Sequence, residues 1–406
     1  MPKLSFNVSV EPECIIYLDS IKKIESGIYE MFIDFRQIKD WRTFNSYFGS
    51  FGSEKSKGTY IRLINVKSRK RLRRDCYYKL NLSAIKKYME FHLINDSYIF
   101  FVVIDLSQMK FPKMEMDEIL QRHSSLEKTD IVHKYNYKGI DSLLPQLLDS
   151  NLAIKVRDVG QANWNELRKN DIIKIIFDLG APIASSISNI ESYVSEYLPK
   201  LMSDRPLLIL SHWDIDHIHC LKYFEDINLS KYFRGVICSG IIKSLTAKKM
   251  FESIKRDFNG RNIFCIPPAP RTTGIAMHIC GERGILKLYV GEKSSSLNFS
   301  GLCLYVCSKT SVVFTGDLRL SQVNDIHSKE IKEICVSNHI LIAPHHGGDY
   351  GNKHRRYSLP CNIGLVSVGE NHYNHPNPNM IQYLKKLTAN NVFRTINCGD
   401  IVMPLG

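Results

Sequence analysis

From residue 152 onward the chain repeats one pattern, a short apolar run that breaks off at Gly, Asp or His. The runs read "LAIKVRDVGQ", "DIIKIIFDLG", "LLILSH", "GVICSG", "NIFCI", "ILKLYVG", "LCLYVC", "SVVFTGD", "HILIAPHHGG", "NIGLVSVGENH" and "VFRTINCGDIVM". Apolar runs of this length, bounded by turn residues, are expected to be buried strands, and helical segments lie between several of them. Two sheets covered by helices follow from such a succession. Polar residues then gather at the strand ends, where sites in sheet proteins with helices are commonly built.

The densest gathering follows "LLIL": His212, Asp214, Asp216 and His217 fall within "SHWDIDHI", on the loop that opens the next helical segment. Four unpaired polar groups are costly to bury, and a divalent metal compensates them directly. Mixed imidazole and carboxylate donors suit Zn²⁺ or Mn²⁺, the aspartates favouring the harder ion. Three further strand ends carry matching chemistry. "VVFTGD" delivers Asp317, a carboxylate suited to bridging two ions; "LIAPHHGG" delivers His345 and His346; "VSVGENHYNHP" delivers His372 and His375. His278, in "GIAMHICGE", reads as an ordinary strand residue.

The ordered set "DVGQ", "IIFDLG", "SHWDIDHI", "VVFTGD", "APHHGG", "NHP" resembles the metallo-β-lactamase superfamily and, more narrowly, the hydrolase domain of ComEC-type DNA-uptake channel proteins. It covers about residues 152–406. Many superfamily members carry H-x-H-x-D-H, whereas the ComEC-like branch often has the H-x-D-x-D-H found here. Asn298, in "SLNFSGLCLYV", matches the asparagine segment that precedes the "FTGD" strand. The resemblance implies an αββα sandwich with one or two divalent metals at the edge of its sheets. It places Asp216, His217, Asp317 and His346 at one metal position and His212 and Asp214 at the other, with Asp317 bridging. His345 then faces the substrate, and His375 donates a proton or hydrogen bond to the leaving oxygen. Asp216, His345 and His375 are thus the expected catalytic residues, and Asp158 and Asp178 are expected to orient the ligands. Departures from the family are "DVGQAN" in place of "DVGQGD", and His219 and Cys220 where glycines usually follow the metal loop. The channel proteins' transmembrane part has no counterpart here, so DNA import is not implied.

Residues 1–150 read as a smaller mixed α+β domain. Strand-like runs ("LSFNVSV", "TYIRLINV", "CYYKLNL", "SYIFFVVIDL") alternate with helical ones ("LSAIKKYMEFHLI", "MDEILQRH"). Between two strands lies "KSRKRLRRD", a basic turn containing Lys67, Arg69, Lys70, Arg71, Arg73 and Arg74, followed by Tyr77 and Tyr78. It reads either as a finger that grips phosphates, with the tyrosines stacking bases, or as a solvated hairpin tip. The net charge of +13 favours a polyanionic partner. A protein partner for residues 1–150 is the other expectation.

Eleven cysteines without a Cys-x-x-Cys argue against a disulfide framework or zinc ribbon. The N-terminus lacks a secretory pattern and the longest apolar run falls short of the roughly 20 residues a membrane span needs, so a cytoplasmic, non-membrane protein is expected. Metal-activated water makes hydrolysis the expected reaction, with a DNA or RNA phosphodiester as substrate. The alternatives are a small-molecule hydrolase, for a cyclic nucleotide, phosphoester or lactone, and an interaction protein with a purely structural metal. Weak salt dependence of substrate binding marks the first. A coordination sphere closed to water marks the second.

Overall fold

The computed structural model describes residues 12–48, 59–67, 72–83, 90–94, 100–105, 120–122, 139–148, 150–183, 185, 187–224, 227–271, 277–294, 296–333, 338–348, 361–371 and 375–406. The chain forms two compact units. One comprises Met1–Thr129 with Lys243–Thr246, the other Asp130–Ile242 with Ala247–Gly406.

The first unit holds β1 (Glu13–Glu25), β2 (Ile28–Phe35), β3 (Thr59–Lys67), β4 (Cys76–Asn81), β5 (Glu90–Ile94), β6 (Phe100–Asp105) and β7 (Leu120–Arg122). They form one sheet in the order β5-β6-β3-β2-β1-β4-β7, in which β3 and β6 are the parallel pair. Alternation along β1 sends Cys14, Ile16 and Leu18 to one face. The helix Ile38–Phe48 covers that face with Trp41 and Phe44, whose rings pack on Phe35 at 5.4 and 5.3 Å. Two segments with helical apolar spacing, 82–94 and 116–123, contain strands instead. Glu90–Ile94 pairs with β6 and Leu120–Arg122 with β4, because partners at a sheet edge outweigh local spacing. The run "LSFNVSV" lies outside the described residues.

The basic turn joins β3 to β4. Arg69, Lys70 and Arg71 lie outside the described residues, and Lys67 closes β3. Arg73 is exposed, and Arg74 Nε stands 3.8 Å from Asp75 Oδ1. Tyr77 and Tyr78 do not present their rings for base stacking: each is only 4% exposed. The Tyr78 hydroxyl accepts from Arg73 N at 2.9 Å and donates to Arg73 O at 3.2 Å, pinning the turn from beneath. Tyr77 donates to Lys243 O at 3.0 Å, and Asp34 Oδ2 accepts from Thr246 N at 2.9 Å. These two bonds fasten the distant tetrapeptide Lys243–Thr246 into this unit.

The second unit holds β8 (Leu152–Val156), β9 (Asn165–Lys169), β10 (Ile172–Phe177), β11 (Leu207–Leu210), β12 (Gly235–Ser239), β13 (Ile263–Ile266) and β14 (Met277–Arg283). Then come β15 (Leu286–Gly291), β16 (Leu302–Val306), β17 (Thr310–Phe314), β18 (Asn338–Ile342), β19 (Ile363–Val366), β20 (Val392–Arg394) and β21 (Ile401–Pro404). Two seven-stranded sheets result, β13-β12-β11-β10-β9-β8-β21 and β14-β15-β16-β17-β18-β19-β20. They share one core, in which Ile175, Phe177, Ile209 and Ile237 of the first sheet pack with Leu304, Val312, Phe314 and Ile340 of the second. Helices Leu320–Glu333 and Pro378–Leu387 cover the second sheet's outer face through Val323, Ile326, Met380 and Leu384. On the first sheet, Tyr197, just ahead of the helix Leu198–Asp204, bonds Lys155 Nζ at 2.7 Å and lies over the Arg157 guanidinium. This is the αββα sandwich that the resemblance implies.

Each sheet has a parallel half, β10 to β13 and β17 to β20, whose central strands are buried on both faces and therefore read as unbroken apolar runs. The carboxyl ends of β10, β11, β17 and β18 carry Asp178, His212, Asp317 and the 345–346 pair. The described cysteines are all free thiols. Among the described residues no helix is long and apolar enough to cross a membrane.

Candidate metal centre

Ser211, the first residue beyond β11, ties the two sheets together: its carbonyl accepts Leu302 N at 2.9 Å. Gly316 turns β17 toward it with φ +51°, and a Cβ on Gly316 would stand 2.8 Å from Ser211 Oγ, so the tight turn of "FTGD" has a steric reason. The turn delivers a buried Asp317. His345 and His346 also have positive φ, 51° and 53°, unusual for residues with a Cβ and characteristic of over-determined functional loops. On the opposite side, Gly180 follows Asp178 so closely beneath the metal loop that a Cβ there would lie 1.8 Å from Asp216 O.

Within this frame the histidines share one arrangement. His212 Nδ1 lies 2.9 Å from Ser211 Oγ, His217 Nδ1 2.7 Å from Asp178 Oδ2, and His346 Nδ1 3.0 Å from Ser367 O. With Nδ1 engaged, the other nitrogen of each ring is left for a further partner. His212 Nε2, His217 Nε2, His346 Nε2 and Asp317 Oδ1 are all buried without a hydrogen bond. These atoms meet acidic oxygens: His217 Nε2 is 3.1 Å from Asp317 Oδ1, His346 Nε2 3.3 Å from Asp216 Oδ2, His212 Nε2 3.4 Å from Asp214 Oδ2 and 3.7 Å from Asp317 Oδ2. Two groups of three, His212, His217 and Asp317, and Asp216, His217 and His346, have ligand atoms within 4.8 Å of one another. Buried, converging and unbonded nitrogen and oxygen donors of this kind fit a divalent ion.

The electrostatics agree. Burial opposes charge on His217, yet Asp317, Asp178 and Asp216 hold its pKa well above the ordinary imidazole value. Burial likewise opposes charge on Asp317, which His345 and His217 nonetheless keep well below the usual carboxylate range. A cation is what this cluster of carboxylates favours.

The remaining expected residues divide. Asp178 contacts the candidate ligands as expected: its two oxygens accept Ser211 N at 2.7 Å and Ser211 Oγ at 2.9 Å, and Oδ2 faces His217. Asp158 makes no such contact: it is exposed, its carboxylate accepts the local Gly160 N at 3.4 Å, and no hydrogen bond joins its side chain to a candidate ligand among the described residues. His345 bonds Asp317 Oδ2 through Nδ1, and its ring meets His375 edge-on at 4.8 Å. His375 is neutral, its pKa pushed down to about 3 by burial and by His345 and His346. His372 lies outside the described residues. His219 is buried against Pro182 O at 2.9 Å, a packed histidine with its pKa lowered to about 4 by burial. Asn298 donates to Asp317 Oδ2 at 2.6 Å, in accord with its match to the family.

Two contributors escape sequence reasoning. Ser211 holds His212 and Asp178, and Asn163 receives Gly180 N at its carbonyl, donates its own N–H to Asp216 O at 3.0 Å and sets Nδ2 3.3 Å from His217 Nδ1. Position 163 stands where the family motif has aspartate, which was the one available signal.

No family model and no curated protein matches the sequence. Among solved structures the chain is similar to the metallo-beta-lactamase fold protein YhfI from Bacillus subtilis, at 12% identity over 62% of this chain and 99% of that one, with a TM-score of 0.35. It is similar to the short form of human tRNase Z at 10% identity over 63% and 99%, with a TM-score of 0.33. A diphosphatase from the PhnP family is similar at 8% identity over 62% and 98%, with a TM-score of 0.33.

Proposed function

We propose that this chain is a metal-dependent hydrolase of phosphodiesters that acts on DNA or RNA with one or two Zn²⁺ or Mn²⁺ ions. One observation carries the reading: His212, His217 and His346 each fix Nδ1 on the protein and leave Nε2 buried without a hydrogen bond beside Asp214, Asp216 and Asp317. Asp216, His217, Asp317 and His346 would hold one ion, and His212 with Asp214 the other, Asp317 lying between them. A divalent ion supplies a water acidified from about pKa 15.7 toward about 7 and a Lewis acid for the phosphoryl oxygen.

The chain's own residues do the rest. Asp178 and Ser211 fix the imidazoles of His217 and His212, Ser367 O fixes His346, and Asn298 fixes Asp317, so the donors need no reorganisation when substrate arrives. His345, hydrogen-bonded to Asp317, faces the substrate. His375, neutral at pH 7, gives its N–H to the leaving oxygen. The basic turn around Arg73 and Arg74 supplies sequence-independent attraction for a polyanion. The test is cleavage of single- and double-stranded DNA and RNA with Mn²⁺, Zn²⁺ or Mg²⁺ in turn. Failure of the metal-loaded protein on all four sinks the nuclease reading.

A further inference from the structure

The chain leaving β19 is held at successive residues. Ser367 accepts His346 Nδ1 at its carbonyl and donates its hydroxyl to Ala162 O at 2.7 Å, and Val368 N donates to Thr395 Oγ1 at 2.8 Å. Gly369 packs so closely on the preceding motif loop that a Cβ there would lie 2.4 Å from Gly160 Cα. Asn371 carries this anchorage to His375: its Nδ2 donates to Gly369 O at 2.9 Å and to His375 O at 2.6 Å, and its Oδ1 accepts His375 N at 3.1 Å. One carboxamide thus engages both backbone groups of His375, which takes a side chain with donor and acceptor side by side. The ring beyond that backbone is closely packed. It meets His345 edge-on at 4.8 Å, a Cβ on Gly348 would stand 2.5 Å from its Cε1 and 2.4 Å from His345 Cδ2, and His345 in turn bonds Asp317.

We propose that Asn371 is a positioning residue for the candidate centre, its carboxamide holding the backbone of His375 so that the ring stays edge-on to His345. The effect on rate rests on the phosphodiester reading with His375 at the leaving oxygen, which it deepens; the effect on the ring rests on the hydrogen bonds alone. Misplacing a reacting group by about 1 Å costs on the order of 10²-fold in rate.

The experiment compares Zn²⁺-loaded full-length wild type with Asn371→Ala, Asn371→Asp, His375→Ala and the double variant Asn371→Ala/His375→Ala on a p-nitrophenyl and a phenyl phosphodiester, with metal content measured alongside. Asn371→Ala is expected to lower kcat by about 10- to 100-fold while KM and metal content hold. The loss should be greater on the phenyl ester, whose poorer leaving oxygen depends more on a hydrogen-bond donor. Aspartate keeps the acceptor for His375 N but lacks the donor, so it should fall between. The double variant should be no slower than His375→Ala, because a residue that acts through another adds nothing once that one is gone. Additive losses, an equal loss on both esters or an unchanged kcat overturn the proposal; if the alanine variant loses metal, the aspartate variant is read by its loss on the two esters. Should wild type hydrolyse neither ester, or His375→Ala prove as fast as wild type, the reading above falls and the NOE between the His345 and His375 rings decides Asn371 instead. Its loss in Asn371→Ala supports the assignment, and its retention overturns it.

Discussion

Asp178 Oδ2 lies 2.7 Å from His217 Nδ1, and both residues are wholly buried. The contact engages Nδ1 and leaves Nε2 facing Asp317 and Asp216. Asp178→Asn keeps the shape and removes the charge. It should weaken metal affinity by about 10- to 100-fold, as loss of a ligand-orienting partner does elsewhere. A metal titration indistinguishable from wild type would show that Asp178 serves packing alone.

Asp216 and His217 are adjacent donors of the candidate centre, and Asp216 Oδ2 stands 3.3 Å from His346 Nε2. Replacing both by alanine should remove bound metal and hydrolysis together while the circular dichroism of the sandwich persists. Undiminished metal stoichiometry in that variant contradicts the assignment.

His375 is proposed to assist rather than to ligate. His375→Ala should keep its metal and lose about 10² to 10⁴ in rate, the range contributed by a positioned proton or hydrogen-bond donor. Loss of metal would instead make it a ligand, and an unchanged rate would remove it from the chemistry.

Gly180 has no room for a side chain, its hypothetical Cβ falling 1.8 Å from Asp216 O. Gly180→Ala should therefore destabilise the second unit by about 3 kcal/mol, at the upper end of the cost of overpacking. It should also displace the metal loop, so weaker metal binding should accompany the lower melting temperature. A variant as stable as wild type would mean that the loop yields freely.

Arg69, Arg71 and Arg73 test the basic turn. If it grips phosphates, replacing the three by glutamate should flatten the salt dependence of nucleic-acid binding, at about 0.7 to 0.9 in slope per lost contact. Turnover of a small chromogenic phosphodiester should survive. An unaltered slope would return the turn to a solvated tip and favour a protein as the first unit's partner.

The second unit was largely legible because its central strands are buried on both faces. Such strands are forced into apolar runs, and polar residues that end them, such as Asp178, His212 and Asp317, stand out against that background. Ser211 was not legible, since a serine in a loop carries no mark of the hydrogen bonds that a fold will ask of it, and Asn163 was visible only as a departure from the family's aspartate. Asp158 misled by its place in a motif, whereas its exposed side chain serves only its own turn. In the first unit, Glu90–Ile94 and Leu120–Arg122 take their conformation from strands remote in sequence, which local spacing cannot encode. The docking of Lys243–Thr246 onto Asp34 and Tyr77 is of the same kind.

His217 belongs to both groups of converging donors, yet it offers a single lone pair at Nε2. If two ions bind, His217 can serve only one of them; placed with Asp216 and His346, it would leave the other position a single imidazole, His212, beside Asp214 and Asp317. Metal uptake is then expected in two unequal stages, the position at His212 filling last and exchanging first with the surrounding ions, and a titration with a single stage would contradict this.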